Sequence, residues 1–144
     1  MLYRVVGVRA EAEDLLQETF VRLHNNWTDI HPNKRKSWLF QVASNLSLNR
    51  VRDNKLRSRR YQDAVEQAHV SEFTQSNPAQ SMTVRATMNE LPERQAKLLT
   101  LYAAGLNHAE LAEAMDVKRS SLSQLLFRAK RAFEELYSST EGGQ

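Results

Sequence analysis

The stretch Leu106 to Tyr137, LNHAELAEAMDVKRSSLSQLLFRAKRAFEELY, constrains this chain most. At helical spacing Leu111, Ala112 and Met115 form one apolar stripe, and Leu122, Leu126, Ala129 and Phe133 form a second after a short polar turn around Val117. This is a helix-turn-helix pattern. Ala112 is small where two helices must cross closely, and Val117 can fill the angle between them while Asp116 and Lys118 stay wet. Around the outer side of the second helix lie Lys118, Arg119, Ser120, Ser121, Ser123, Gln124 and Arg128, side chains of the kinds that reach phosphates and base edges in a major groove. The apolar spacing alone also fits an ordinary antiparallel helix pair.

Composition narrows the rest. Four Gly, three Pro and no period-two alternation argue against strands, so an all-α chain is expected. There is no cysteine, which excludes disulfides and thiolate metal sites, and the four histidines are scattered. No cofactor, metal or catalytic residue is assigned, since no Gly-rich phosphate loop or nucleophile, base and acid set has a recognisable motif. No apolar run approaches the length of a membrane span, and the reading is cytoplasmic. The net charge of +3 matters less than its distribution. Residues 1 to 60 hold 12 basic against 6 acidic side chains, residues 61 to 84 hold only three acids, and the remainder is balanced at 8 and 8.

Along the chain, Ala10 to Asn25 is expected to be a helix burying Ala12, Leu15, Leu16, Thr19, Phe20 and Leu23, with Asp14, Gln17 and Glu18 opposite. That face is a solvated acidic start to a helix or a docking surface for a basic helical partner. A loop rich in breakers follows to Lys36. A second helix, from about Lys36 to Lys55, is expected to bury Leu39, Val42, Ala43 and Leu46 and to leave Trp38, Asn45, Asn49 and Arg52 along one flank. Asn45 and Asn49 sit one turn apart, where two amides can address neighbouring nucleotides or simply remain exposed polar groups. The expected division is a helical domain over 1–60, a flexible linker over 61–80, a helix-turn-helix domain over 81–137 and a disordered tail over 138–144. Within the second domain Leu91-Pro92-Glu93-Arg94-Gln95 marks a helix start and Gly105 its end.

Taken in order, Ala12-Glu13-Asp14-Leu15-Leu16-Gln17-Glu18-Thr19-Phe20, then Trp38-Leu39 with Ala43 and Asn45, then Leu91-Pro92-Glu93-Arg94-Gln95, then the helix-turn-helix, resemble the successive signatures of extracytoplasmic-function sigma factors of the sigma-seventy family. The resemblance spans residues 2 to 137 and begins inside the family's first domain, so the chain reads as N-terminally shortened. It implies that Asp14, Gln17 and Glu18 meet the β′ clamp helices of core RNA polymerase. It implies that the loop Thr28 to Arg35 and the helix from Trp38 to Arg52 melt and read the minus-ten element, with Asn45 and Asn49 on bases. Lys34, Arg35, Arg50, Arg52 and Lys55 would hold phosphates, and the helix-turn-helix would read the minus-thirty-five element as duplex.

Three departures from the family pattern stand out in the helix-turn-helix: Asp116 where a small residue is usual, Lys118 where proline is, and Leu125 where a basic residue is. Leu125 and Phe127 exceed the apolar surface a DNA face requires, which suggests an anti-sigma partner or self-association there. Two other readings remain: a helix-turn-helix regulator that binds duplex DNA without core polymerase, and a sigma-like protein-interaction module.

Overall fold

The computed structural model describes residues 1–60 and 78–142, and among these every element is helical. The order is α1 (Leu2–Val6), α2 (Arg9–Asn25), a 3-10 turn over Pro32–Lys34, α3 (Arg35–Arg60), α4 (Pro78–Glu90), α5 (Glu93–Ala103), α6 (His108–Ala114) and α7 (Arg119–Gly142). The expected linker lies outside the described residues as far as 77, and its last three positions open α4.

Two apolar clusters organise the helices. The front one joins Leu2, Ala12, Leu15 and Ala43 from α1, α2 and α3. In α2 the stripe Ala12, Leu15 and Thr19 is buried, and Thr19 satisfies its hydroxyl by donating to the Leu15 carbonyl at 2.6 Å. Leu16 and Phe20, expected inside, are 47% and 51% exposed. Each lies about 100° around the helix from the buried stripe and lines an open groove with Leu39 and Phe40. In α3 only Ala43 of the expected apolar set is fully buried, whereas Ser37, Ser44 and Ser47 are sealed. Burial of serine is explained by packing on two sides: α3 touches α1 and α2 on one side and α5 and α6 on another. Ser44 and Ser47 turn their hydroxyls back onto the carbonyls of Gln41 and Ser44 at 2.9 Å, so burial leaves neither donor orphaned.

The rear cluster is larger, with Leu98, Leu101, Leu106, Leu111, Ala112, Ala114, Met115, Leu122, Leu126 and Ala129 at its centre and Val117 packed against it. Backbone caps at both turns fix its geometry. At the end of α5 the Gly105 N–H reaches the Tyr102 carbonyl (3.1 Å) and the Leu106 N–H reaches Leu101 (3.4 Å), a six-to-one closure that needs the left-handed φ of +94° at Gly105. The end of α6 repeats the motif, with Asp116 N–H to Glu113 (3.1 Å) and Val117 N–H to Ala112 (3.0 Å), but here Asp116 carries φ of +53°. Between them Asn107 and Glu110 form a reciprocal capping box, 2.9 Å from the Glu110 N–H to the Asn107 side chain and 2.8 Å back. Pro92 stands one position earlier than expected, as the N-cap of α5.

The tail departs from expectation. Residues 138 to 142 continue α7, where Ser139 and Thr140 donate to the carbonyls of Glu135 and Leu136 at 2.8 and 3.0 Å and Phe133 stacks on Tyr137 at 5.7 Å. Nothing in SST stops a helix already supported by the preceding turns; the first strong breaker is Gly142.

Two opposite stability changes follow from the turns around α6. Asn107→Ala removes a side-chain cap and lowers unfolding free energy by about 1 kcal/mol. Asp116→Gly relieves a left-handed residue and raises it by about 0.5–1 kcal/mol. Denaturant melts of the two variants, read at constant m-value, check both signs.

Candidate nucleic-acid and polymerase interface

Three surfaces carry the residues singled out from the sequence. On α2, Asp14 and Gln17 are exposed, while Glu18 is half-buried and accepts from Arg22 one turn on at 2.5 Å. The same helix places an Arg9–Glu13 pair at 2.8 Å beside them. Pairs of this kind on an exposed face hold little energy, so the acidic patch remains open to a stronger cation.

The second surface is the loop before α3 and one flank of α3. Ile30 is buried and pins the loop, and Arg35 lies over the Trp27 ring at 3.6 Å while donating to the Trp27 carbonyl at 3.0 Å. Arg35 therefore spends its planar face and one N–H on holding the loop against the start of α3. Asn45, Asn49 and Arg52 are exposed along the flank, Trp38 and Arg50 are half-buried, and Arg52 donates to the Asn49 side chain.

Several cations of this surface are engaged by residues far along the chain. Lys34 lies 3.6 Å from Glu113, Lys36 2.8 Å from Glu110 and Arg52 3.5 Å from Glu93, and Lys55 donates to the Asn89 carbonyl. The hydrogen bond from Lys36, and then the bond from the Asn107 backbone, hold the Glu110 carboxyl below its ordinary range. Its folded form is thus favoured fully above the ordinary carboxylate value, and that advantage is lost as pH falls through the lowered one. Sequence reasoning missed Glu93, Glu110, Glu113 and Lys36. The Asn107-x-x-Glu110 spacing was readable as a capping box, and Glu110 with Glu113 as an acidic helix face, but their partners depend on tertiary packing.

The third surface is the outer side of α7 with Lys118 just before it. Lys118, Arg119, Ser120, Ser121, Ser123, Gln124 and Arg128 are all exposed, with Leu122, Leu126 and Ala129 turned inward. Among the described residues none of Lys118, Arg119 and Arg128 is held in an ion pair. Leu125 is half-buried against the rear core, so the apolar surplus at this end of α7 is chiefly Phe127, which is 64% exposed. Among the described residues no helix is long and apolar enough to cross a membrane, and no cluster of three His, Asp or Glu could hold a metal ion.

Comparison with known proteins divides the chain into two modules. Residues 1–57 match the model of sigma-70 region 2, and residues 81–133 match that of sigma-70 region 4. The ECF RNA polymerase sigma factor SigM of Bacillus subtilis is 33% identical over 131 residues, covering 88% of this chain and 79% of that protein. SigW of the same organism is 25% identical, covering 94% of this chain and 80% of SigW. The fold is similar to that of the sigma factor RpoE, solved with the anti-sigma factor NepR from Bartonella quintana, at a TM-score of 0.61 and 20% identity over 95% of this chain and 87% of that one. With both modules in order and a relative of this identity across most of its length, the chain belongs to the extracytoplasmic-function sigma factors, non-enzymatic subunits that bind core RNA polymerase and promoter DNA to direct transcription initiation.

Proposed function

We propose that the chain divides promoter recognition between its two halves, residues 1–60 opening and reading the minus-ten element and residues 81–137 reading the minus-thirty-five element as duplex, in the cytoplasm where polymerase works. The observation that carries this reading is the exposed flank of α3, where Asn45, Asn49 and Arg52 lie in line beside the loop braced by Arg35 and Trp27. Unpairing a base costs a few kcal/mol, roughly, and the two amides and half-buried Trp38 are the groups placed to recover it on a displaced strand. Lys34, Arg35, Arg50, Arg52 and Lys55 supply a sequence-blind grip on that strand.

In this scheme Asp14, Gln17 and Glu18 form the contact with the β′ clamp helices of polymerase. The exposure of Asp14 and Gln17, with Glu18 half-exposed beside them, on a helix whose other side closes the front core supports that role. On α7, Arg119 and Arg128 hold phosphates, while Ser120, Ser123 and Gln124 face the groove floor, with Lys118 and Ser121 at its edge. The RpoE relative is held by an anti-sigma factor, and Phe127 with neighbouring Leu125 is the apolar surface here that suits such a partner or a second copy. A regulator that binds duplex without polymerase would have no use for the Asp14 face or the Asn45 flank, and the match of residues 1–57 to region 2 favours the sigma reading.

Three variants test the division. Asp14→Lys combined with Glu18→Lys abolishes co-purification with core polymerase while helicity by circular dichroism and duplex binding stay unchanged; full retention of core contradicts the assignment. Arg119→Ala weakens binding to every duplex and lowers the salt slope by about one counterion, whereas Gln124→Ala weakens binding selectively, about 5- to 100-fold on the cognate site. Titrations on cognate and scrambled duplex at two salt concentrations separate these effects.

A further inference from the structure

We propose that the pocket between α1, α3 and α4 binds a nucleoside diphosphate, with Lys55, Arg59 and Arg85 on the phosphates and the valines behind them against the nucleoside. The inference goes beyond promoter recognition. Lys55 is shared with the strand-gripping surface, whereas Arg59 and Arg85 belong to neither of the DNA-reading surfaces described above. The pocket has a volume of about 440 Å3, within the roughly 300–1,000 Å3 typical of small-ligand sites.

Its charge is what calls for an anion. Lys55 and Arg59 lie one turn apart on α3, a like-charge spacing that is unfavourable in a helix by itself, and α4 brings Arg85 to the same pocket. No Asp or Glu lines it. Among the described residues none of the three cations is held in an ion pair. The acid bonded to a lining residue is Glu11, which accepts from the Asn54 amide at 3.3 Å. Three cations converging without a carboxylate create a positive potential that a compact polyanion relieves. A diphosphate, with about three negative charges at neutral pH, matches them in number.

Two of the cations are held in place with donors to spare. Half-buried Arg85 donates through Nε to the Arg4 carbonyl at 3.4 Å, and Lys55 donates to the Asn89 carbonyl. Each bond orients a side chain while using a single donor of the guanidinium or the ammonium. Gly7 makes the seat for Arg85: a Cβ there would lie 2.7 Å from the Arg85 Cζ, and its φ of +77° closes α1 in a conformation that favours glycine. A cap on the end of α1 accounts for Arg85 alone and leaves the two cations beside it unexplained. Behind the cations Val5 and Val6 of α1 and Val51 of α3 form a half-buried apolar wall, suited to the ring of a nucleoside and of no use to inorganic phosphate. Ser58 and Asn89 add neutral groups able to bond ribose hydroxyls.

Calorimetric titration of the full chain with ADP tests the site, with magnesium left out so that the phosphates keep their charge. Saturable binding in the micromolar to submillimolar range is expected, with pyrophosphate about ten-fold weaker for want of the apolar contact and adenosine showing none. Arg59→Gln and Arg85→Gln are each expected to weaken ADP binding about ten-fold. Arg131→Gln removes the same charge from the exposed pair with Glu135 on α7 and leaves ADP binding unchanged. Circular dichroism melts check that the variants fold; if Arg85→Gln melts early through loss of its bond to α1, exposed Arg59 still gives the reading. Absence of saturable ADP binding, equal affinity for ADP and pyrophosphate, or equal weakening by Arg131→Gln each overturns the proposal. So does binding of single-stranded oligo(dT) that depends on Arg59 and Arg85 while ADP does not bind, which gives these cations to nucleic acid.

Discussion

One helix, α3, is asked to satisfy three demands at once, and the rest of the structure follows from how it does so. Ala43 closes the front core, the sealed serines and Phe40 accept the rear half, and Asn45, Asn49 and Arg52 stay in solvent. A helix buried on two sides cannot be apolar all round and still keep a polar reading edge. Small serines resolve the conflict: they let backbones approach closely, and their hydroxyls bond to their own helix instead of needing a partner across the interface. The cost is a weak apolar contribution from α3, consistent with a front cluster centred on only four fully buried apolar residues.

The rear half is built on the opposite principle. Its dense core sits behind two successive left-handed turns, at Gly105 and Asp116, that set the entry and exit of α6. Once Leu111 and Leu122 are locked at zero exposure, the polar side of α7 has no freedom but to face outward. The outward orientation of the polar side is therefore a consequence of packing: Leu122, Leu126 and Ala129 determine where Arg119, Gln124 and Arg128 point. Asp116 at the second turn is a strained choice compared with glycine.

Much of this is legible in the amino-acid sequence alone. Apolar periodicity marked the helix-turn-helix, the Asn45 flank and the acidic face of α2, because each is a local pattern with a period near 3.6. Three things were not readable, for physical reasons. Leu16 and Phe20 were expected inside because a wide apolar stripe does not say which of its edges a neighbour will cover. The serine face of α3 looked polar because burial of serine depends on what packs against it. The pairing of Lys34, Lys36 and Arg52 with acids some 40 to 80 positions away is long-range, and charge distribution along a sequence carries no information about it. The helical continuation beyond Ser138 is hidden for a smaller reason: polar composition suggests disorder, but no breaker intervenes before Gly142.

In the proposed reading the chain is a detachable subunit whose two halves act on one promoter from a single polymerase. Run-off transcription with purified core enzyme on a promoter library tests this most directly. Added chain should produce discrete transcripts, absent with core alone, from templates that share two conserved blocks at the minus-ten and minus-thirty-five positions. No added transcripts, or transcripts from templates sharing only one block, would contradict it.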